Sequence, residues 1–299
     1  ICTLAEVGIE GVEIQDKKPL TEEDKAQMFV DIMPEGPADD GIAYLNFYLE
    51  EDADKEAILK DVRAALDELK SYMDIGEGTI EESQTEDKDW INNWKQYFHQ
   101  FYVDDILIVP SWEEVKAEDQ DKMILHIDPG TAFGTGMHET TQLVIRQLKK
   151  YVTPDTEMLD VGTGSGILGI VAIKLGAKHV LGTDLDPCAV PAVAENKEAN
   201  GIPEEAFDMM IGNIIDDKEV QDQAGYEKYD IVTANILADV LLPLTPVIVH
   251  QMKKGAYYIT SGILDVKEEV VVEAVKAAGL TVVEVTHQGE WVSVTARKD

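Results

Sequence analysis

The sequence predicts an α/β fold: a doubly wound, mostly parallel sheet closed by an antiparallel hairpin, preceded by a small α+β domain. Three observations carry this. From Met158 onward, short apolar runs at 158–161, 179–183, 207–211, 229–234 and 256–260 alternate with helical patterns at 165–175, 187–200, about 237–250 and 266–278. Such alternation buries a parallel sheet between two layers of helices. The final runs, 281–285 and 291–295, are joined by the short His287-Gln-Gly-Glu290 turn and read as a hairpin. Ahead of all this, the order helix, strand, strand, helix, strand fits a separate small domain.

In that first domain, 1–7 reads as part of a helix and Gly11-Val-Glu-Ile-Gln15 as an alternating strand. The acidic stretch 17–41, with Pro19, Pro34 and Pro37, reads as loop. Residues 43–49 alternate as a second strand. Residues 54–73 form a helix with Ile58, Val62, Ala65, Leu66 and Leu69 on one face, and 79–83 a further strand. With one more strand ahead of Ile1 the order would be that of a split βαβ, ferredoxin-like sandwich. Residues 87–102 read as an aromatic-rich helix with only Lys88 and Lys95 as cations, which fits packing between domains better than base stacking. The division is therefore 1–75, a linker at 76–102, and 103–299, opened by strands at 106–109 and 123–127.

Composition limits the function. The 25 Lys and Arg face 59 Asp and Glu, a net charge of −34. The first 120 residues hold 32 of the acids and 10 of the bases. Such a surface repels phosphate backbones and anionic lipid and attracts a basic partner. Cys2 and Cys188 match no metal spacing and no disulfide framework, and no run of 18 apolar residues exists. A cytoplasmic chain with no metal, no membrane partner and no direct nucleic-acid contact is expected. A monomer is expected as well.

The chemistry centres on Glu157-Met-Leu-Asp-Val-Gly-Thr-Gly-Ser-Gly-Ile-Leu168. A buried strand runs into a glycine turn that opens a helix, and glycines let the backbone turn sharply and touch a ligand. Free N–H groups at the helix start favour polar or anionic ligand atoms. Asp184, ending the next strand, lies at the distance usual for a carboxylate that binds a ribose diol. Two parses compete. Gly164-x-Gly166-x-x-Gly169 spells a dinucleotide fingerprint, the mark of an NAD-dependent oxidoreductase. Gly162-x-Gly164-x-Gly166 behind Asp160 is the first motif of enzymes that use S-adenosylmethionine. The closing hairpin favours the second.

Two further stretches converge on the same place. Asp128-Pro-Gly-Thr-Ala-Phe-Gly-Thr-Gly-Met-His-Glu-Thr-Thr141 is a second glycine-rich segment feeding a helix at about 139–151. Thr140 and Thr141 fall in its first turn, where hydroxyls cap a helix or meet a ligand. His138 there has no ligand-spaced partner, so a structural hydrogen bond fits better than a metal or a general base. Asn235-Ile-Leu-Ala238 follows the fourth strand of the sheet. Its asparagine either caps the next helix or presents its side-chain carbonyl to an acceptor amine or to the cofactor. No Ser-His-Asp, Cys-His or paired-His arrangement appears, and methyl transfer needs none, because positioning does most of the work.

Together, Asp128-Pro-Gly-x-Ala-Phe-Gly-Thr-Gly-x-His-x-Thr-Thr141, Leu159-Asp-Val-Gly-Thr-Gly-Ser-Gly-Ile-Leu168, Thr183-Asp-Leu-Asp-Pro187 and Ala234-Asn-Ile-Leu-Ala238 resemble the family of methyltransferases that act on large-subunit ribosomal protein L11. The resemblance covers nearly the whole chain. It implies a Rossmann-like methyltransferase domain, S-adenosylmethionine as donor with S-adenosylhomocysteine as product, and protein L11 as partner. It also implies lysine side chains and the terminal α-amine as acceptors, and an N-terminal domain that grips the substrate. By matching motifs it implies Thr141, Gly162, Asp184 and Asn235 at the cofactor, with Gly164, Phe133, Gly134 and Thr135 beside them and Asn235 placing the acceptor amine. The family's segment usually begins Asn-Pro, where this chain has Asp128-Pro129, and the family's first N-terminal strand has no counterpart here.

Overall fold

The computed structural model describes residues 4, 9, 12–18, 41–49, 53–72, 75–76, 78–83, 99–128 and 136–299. The chain forms two compact units, Ile1–Lys88 and Asp89–Asp299.

In the first unit, β1 (Glu13–Gln15) pairs antiparallel with β2 (Tyr44–Asn46). Helix α1 (Lys55–Leu69) starts where Asp54 accepts the Ala57 N–H, a side-chain cap that satisfies one free donor. Its face buries Leu59, Val62 and Ala65, and Val62 joins Leu4 and Ile9 in a small core. The strand expected at 79–83 does not form. Alternation alone makes no strand without a ladder partner, and none pairs with it among the described residues. Most of the expected loop at 17–41, and 87–98 of the aromatic helix, lie outside the described residues. Phe101 and Tyr102, expected at the end of that helix, are instead strand.

The second unit opens with a three-stranded sheet. Strand β3 (Phe101–Val103) runs antiparallel to β4 (Ile106–Val109), and β4 runs parallel to β5 (Met123–His126). Helix α2 (Glu139–Tyr151) follows, over the range its periodicity predicts. The main sheet then builds in βαβ steps: β6 (Glu157–Val161), α3 (Ile167–Lys174), β7 (His179–Asp184), α4 (Ala189–Ala199) and β8 (Phe207–Ile211). A seven-residue helix α5 (Lys218–Ala224), too short and polar to show in the periodicity, leads to β9 (Tyr229–Asn235). There follow α6 (Ala238–Ile248), β10 (Met252–Leu264), α7 (Glu268–Ala277) and the hairpin of β11 (Leu280–Gln288) and β12 (Trp291–Lys298).

The strand order is β11-β12-β10-β9-β6-β7-β8. Strands β8, β7, β6, β9 and β10 are mutually parallel; β12 is antiparallel to β10 and to β11. The chain winds outward from β6 to β8, then returns to lay β9 on the other flank of β6. That reversal is the topological switch point, where open α/β sheets bind ligands at the carboxyl ends of their strands. Side-chain alternation splits the core in two. Leu159, Val232, Tyr258 and Val294 pack with Leu241, Leu244, Val271 and Val275 on one face. Met158, Val180, Ile231 and Ile259 pack with Val144, Leu148, Ile170 and Val193 on the other. Each such side chain, withdrawn from water, contributes about 1.5–3 kcal/mol.

Candidate functional site

Strand β6 ends in three glycines that all take left-handed φ: 69° at Gly162, 53° at Gly164 and 79° at Gly166. Gly162 also has no room for a side chain, since a Cβ there would lie 2.6 Å from Ile236 Cγ2. The turn is sewn to the end of β7, where the Gly162 and Thr163 N–H groups both donate to the Thr183 carbonyl, at 2.8 and 3.0 Å. Below it sits Asp160, wholly buried, accepting from Thr233 Oγ1 at 2.6 Å and Thr163 Oγ1 at 2.7 Å. Burial pushes its carboxyl up to about 6, against the two hydroxyl donors that lower it.

Asp184 ends β7 with its carboxylate over the turn. Oδ2 accepts from the Gly164 N–H at 2.8 Å and Oδ1 from the Asp186 N–H at 3.0 Å. A carboxylate has about four lone-pair sites, so both oxygens keep capacity for a ligand's hydroxyls. On the opposite flank, Asn235 ends β9. Its Nδ2 donates to Thr141 Oγ1 at 3.2 Å, across from the first turn of α2. Asn235 is not the cap of α6, because that position falls on Leu237. With Nδ2 engaged, Oδ1 is the acceptor, and among the described residues nothing donates to it.

His138 caps α2. Its Nδ1 meets the Thr140 hydroxyl at 2.9 Å and the Thr140 N–H at 3.4 Å, and its ring stands edge-on to Trp291 with centroids 4.8 Å apart. The structural reading of this histidine holds. Among the described residues no His, Cys, Asp and Glu group could hold a metal. Gly162, Gly164, Asp184, Asn235 and Thr141 thus meet along one edge of the sheet. Asp184 touches the turn at Gly164, the turn abuts Ile236, and the neighbouring Asn235 reaches Thr141. Phe133, Gly134 and Thr135 lie outside the described residues. A separate groove along α2, lined by Asp104, Arg146, Lys149, Lys150 and His287, lies elsewhere, and its Arg146, Lys149 and Lys150 pair with Asp104, Asp105 and Glu284.

Gly169, the third glycine of the dinucleotide parse, lies inside α3, where a Cβ would meet the Phe207 ring at 2.5 Å. It is there for packing. Sequence reasoning missed two side chains, Asn196 in the last turn of α4 and Asn200 at its C-terminal cap, which bind the chain at the end of β5. Asparagine is a poor residue for a helix interior, which marks Asn196 as unusual but does not say what it binds.

Comparison with known proteins identifies the family. The model of the ribosomal protein L11 methyltransferase (PrmA) family matches residues 2–299. A ribosomal protein L11 methyltransferase of Agathobacter rectalis is 55% identical over 299 residues, 99% of this chain and 93% of the relative. One of Lachnospira eligens is 56% identical over 296 residues, with the same coverage. The crystal structure of a ribosomal protein L11 methylase from Lactobacillus delbrueckii subsp. bulgaricus superposes with a TM-score of 0.60 at 32% identity, covering 68% of this chain and all of that one. The oxidoreductase alternative finds no support in these relatives, and the chain belongs to the ribosomal protein L11 methyltransferase family.

Proposed function

We propose that this methyltransferase moves methyl groups from S-adenosylmethionine to the lysine side chains and terminal α-amine of ribosomal protein L11. The observation that carries the reading is the continuous edge from Asp184 through the glycine turn to Asn235 and Thr141. The donor fits there on the chemistry of the groups present. Asp184 accepts from the ribose hydroxyls with its remaining lone pairs. The bare backbone at Gly162 and Gly164 allows close approach of the ribose and methionine parts. Thr141, with Phe133, Gly134 and Thr135, completes the far side by family resemblance. When bound, the donor supplies an electrophilic methyl carbon on a sulfonium.

The acceptor must arrive as a neutral amine, and a lysine near pKa 10.4 is mostly protonated in water. Asn235 Oδ1, held by the bond from Nδ2 to Thr141, takes one N–H of the amine and leaves its lone pair aimed at the methyl carbon. The released proton returns to water; no side chain is assigned as a base. Positioning of this kind is where most of the rate enhancement comes from.

The N-terminal residues 1–75, joined through 76–102, recognise the substrate, and the enzyme acts as a monomer in the cytoplasm. The net charge of −34 draws a basic ribosomal protein, so association should slow as salt rises. The deciding experiment incubates the protein with S-adenosylmethionine and L11 and maps methyl groups by mass spectrometry. Mass gains on lysine and the terminal amine are expected; an unmodified substrate overturns the reading. Asn235→Ala should lower kcat at saturating donor roughly a hundredfold, beyond any loss of donor affinity.

A further inference from the structure

Strand β5 ends at an open edge. Ile127 donates to the Val109 carbonyl, so the alternate groups at His126 and Asp128 face away from β4, towards α4. The end of α4 answers them with two asparagines, Asn196 in its last turn and Asn200 at its C-terminal cap. Asn200 accepts the His126 N–H at 2.9 Å and donates to the His126 carbonyl at 2.5 Å, standing in for a missing strand. Asn196 does something different. Its Oδ1 accepts the Asp128 N–H at 3.3 Å while its Nδ2 donates to the Ser165 carbonyl at 2.9 Å. Only 3% of Asn196 is exposed, so water does not compete for either bond.

Asp128 begins the first glycine-rich segment and is itself held by the Ser111 N–H, which donates to its Oδ1 at 2.7 Å. Ser165 lies inside the turn Gly162–Gly166. One buried amide therefore spans the two glycine motifs. The far end of the first motif is tied to the same place by packing, since a Cβ on Gly136 would lie 2.7 Å from Ile167 Cδ1, at the start of α3.

We propose that Asn196 is a positioning residue for donor binding: it fixes the Asp128 root of the first glycine motif against Ser165 of the second. This rests on the reading of that edge as the donor site. Asn196 touches no reacting atom; it acts through Ser165 and Asp128. Asn200 supplies the comparison, because its amide makes two bonds to His126 and one to the Asn196 carbonyl and reaches neither glycine motif.

The test measures S-adenosylmethionine binding by calorimetry, with Tm, for the full chain and for Asn196→Ala and Asn200→Ala. Both variants should lose a similar few degrees of Tm. Only Asn196→Ala should weaken the donor, roughly tenfold, within the range of couplings carried through such contacts. It should raise the donor KM and leave kcat at saturating donor within about twofold. A change in donor affinity below about twofold in Asn196→Ala, or an equal loss in Asn200→Ala, overturns the proposal. Should Asn196→Ala not fold, amide exchange in the unaltered protein decides: adding donor should slow exchange at the Asp128 N–H several-fold, and an unchanged rate overturns it. If the unaltered protein binds no donor, the donor reading falls and this proposal with it; if donor binds and the two variants behave alike, only this proposal falls.

Discussion

The turns after β6 and β7 sit side by side on one edge of the sheet and open consecutive helices, yet they are built on opposite principles. The β6 turn has three left-handed glycines and keeps its other side chains, Asp160, Thr163 and Ser165, buried. It offers a ligand only backbone. The β7 turn, Asp184-Leu-Asp-Pro-Cys188, has no glycine and exposes most of its side chains, with Leu185 at 66%. It offers a carboxylate. The same element of fold thus yields one surface that must be bare and one that must be furnished, and the two carboxylates divide accordingly. Asp160 holds the framework, and Asp184 is the carboxylate proposed to meet the ligand.

The largest effect should follow from unfurnishing the second turn. Asp184→Ala removes a charged acceptor for two hydroxyls, each bond to a charged group contributing about 1.5–3 kcal/mol. Donor affinity by calorimetry should fall roughly a hundredfold or more. Tm should drop little, because the carboxylate's protein partners are two backbone N–H groups at the edge of the sheet. An unchanged affinity would end the division of labour between the turns.

Furnishing the bare turn should come next. Gly162→Ala combines a left-handed φ of 69° with a Cβ 2.6 Å from the end of the Ile236 side chain. A cost of about 1–3 kcal/mol in urea unfolding is expected. Gly262→Ala makes a sharper comparison, because its Cβ would meet the Ile236 carbonyl oxygen at 2.4 Å and backbone cannot swing aside. It should be the more destabilising of the two. In Gly162→Ala, trimming Ile236 to Ala should recover the steric part and leave the cost of φ.

Asp160 can be read through pH. Its carboxyl is raised from 3.8 to about 6, so between those values the folded protein holds a proton that the unfolded chain has released. Its contribution is therefore most favourable at the acid end, declines as pH rises through the window, and levels off above about 6. Asp160→Asn keeps a donor and an acceptor for the two threonines and cannot titrate. Between pH 5 and 7.5, stability should shift in the variant's favour by about 1 kcal/mol or more relative to the parent. A constant difference would show that Asp160 is already ionised in the fold across this range and that its carboxyl is not raised.

What could be read from the residues follows the same contrast. The bare turn announced itself, because three alternate glycines after an apolar run mark a tight bend, and the place of Asp184 at the end of β7 followed from spacing. The parallel strands were legible because each is a short apolar run between turn residues; β8 and β4 fell where expected. Strand β10 extends from 252 to 264, well past the expected 256–260, because Met252 pairs with Tyr229 of β9 ahead of an irregular, unpaired stretch and Ile263 and Leu264 pair with β12. Asn196 was illegible for a related reason. On a helix an amide reads as solvent-facing, and only the neighbouring open strand edge makes it structural. The aromatic stretch ending at Tyr102 misled at its last two residues. Phe101 and Tyr102 pair with Ile108 and Leu107, and a ladder outweighed the helical spacing.

The smallest predicted effect also tests the furnished turn. Cys188 is exposed at its end, and its N–H donates to Asp186 Oδ1 at 2.8 Å. The Asp186 carboxylate, accepting from the thiol and repelling a thiolate, holds the thiol pKa above its ordinary value. The thiolate is the reactive form, so Cys188 should alkylate slowly at pH 8 despite its exposure. Asp186→Asn removes the repulsion and should speed iodoacetamide labelling, roughly two- to tenfold, the range expected of one exposed neighbouring charge. Donor bound over the same turn should slow labelling in both proteins. If Asp186→Asn labels at the parent's rate, the carboxylates of this turn do not govern their neighbours' charge, and the contrast with the β6 turn rests on geometry alone.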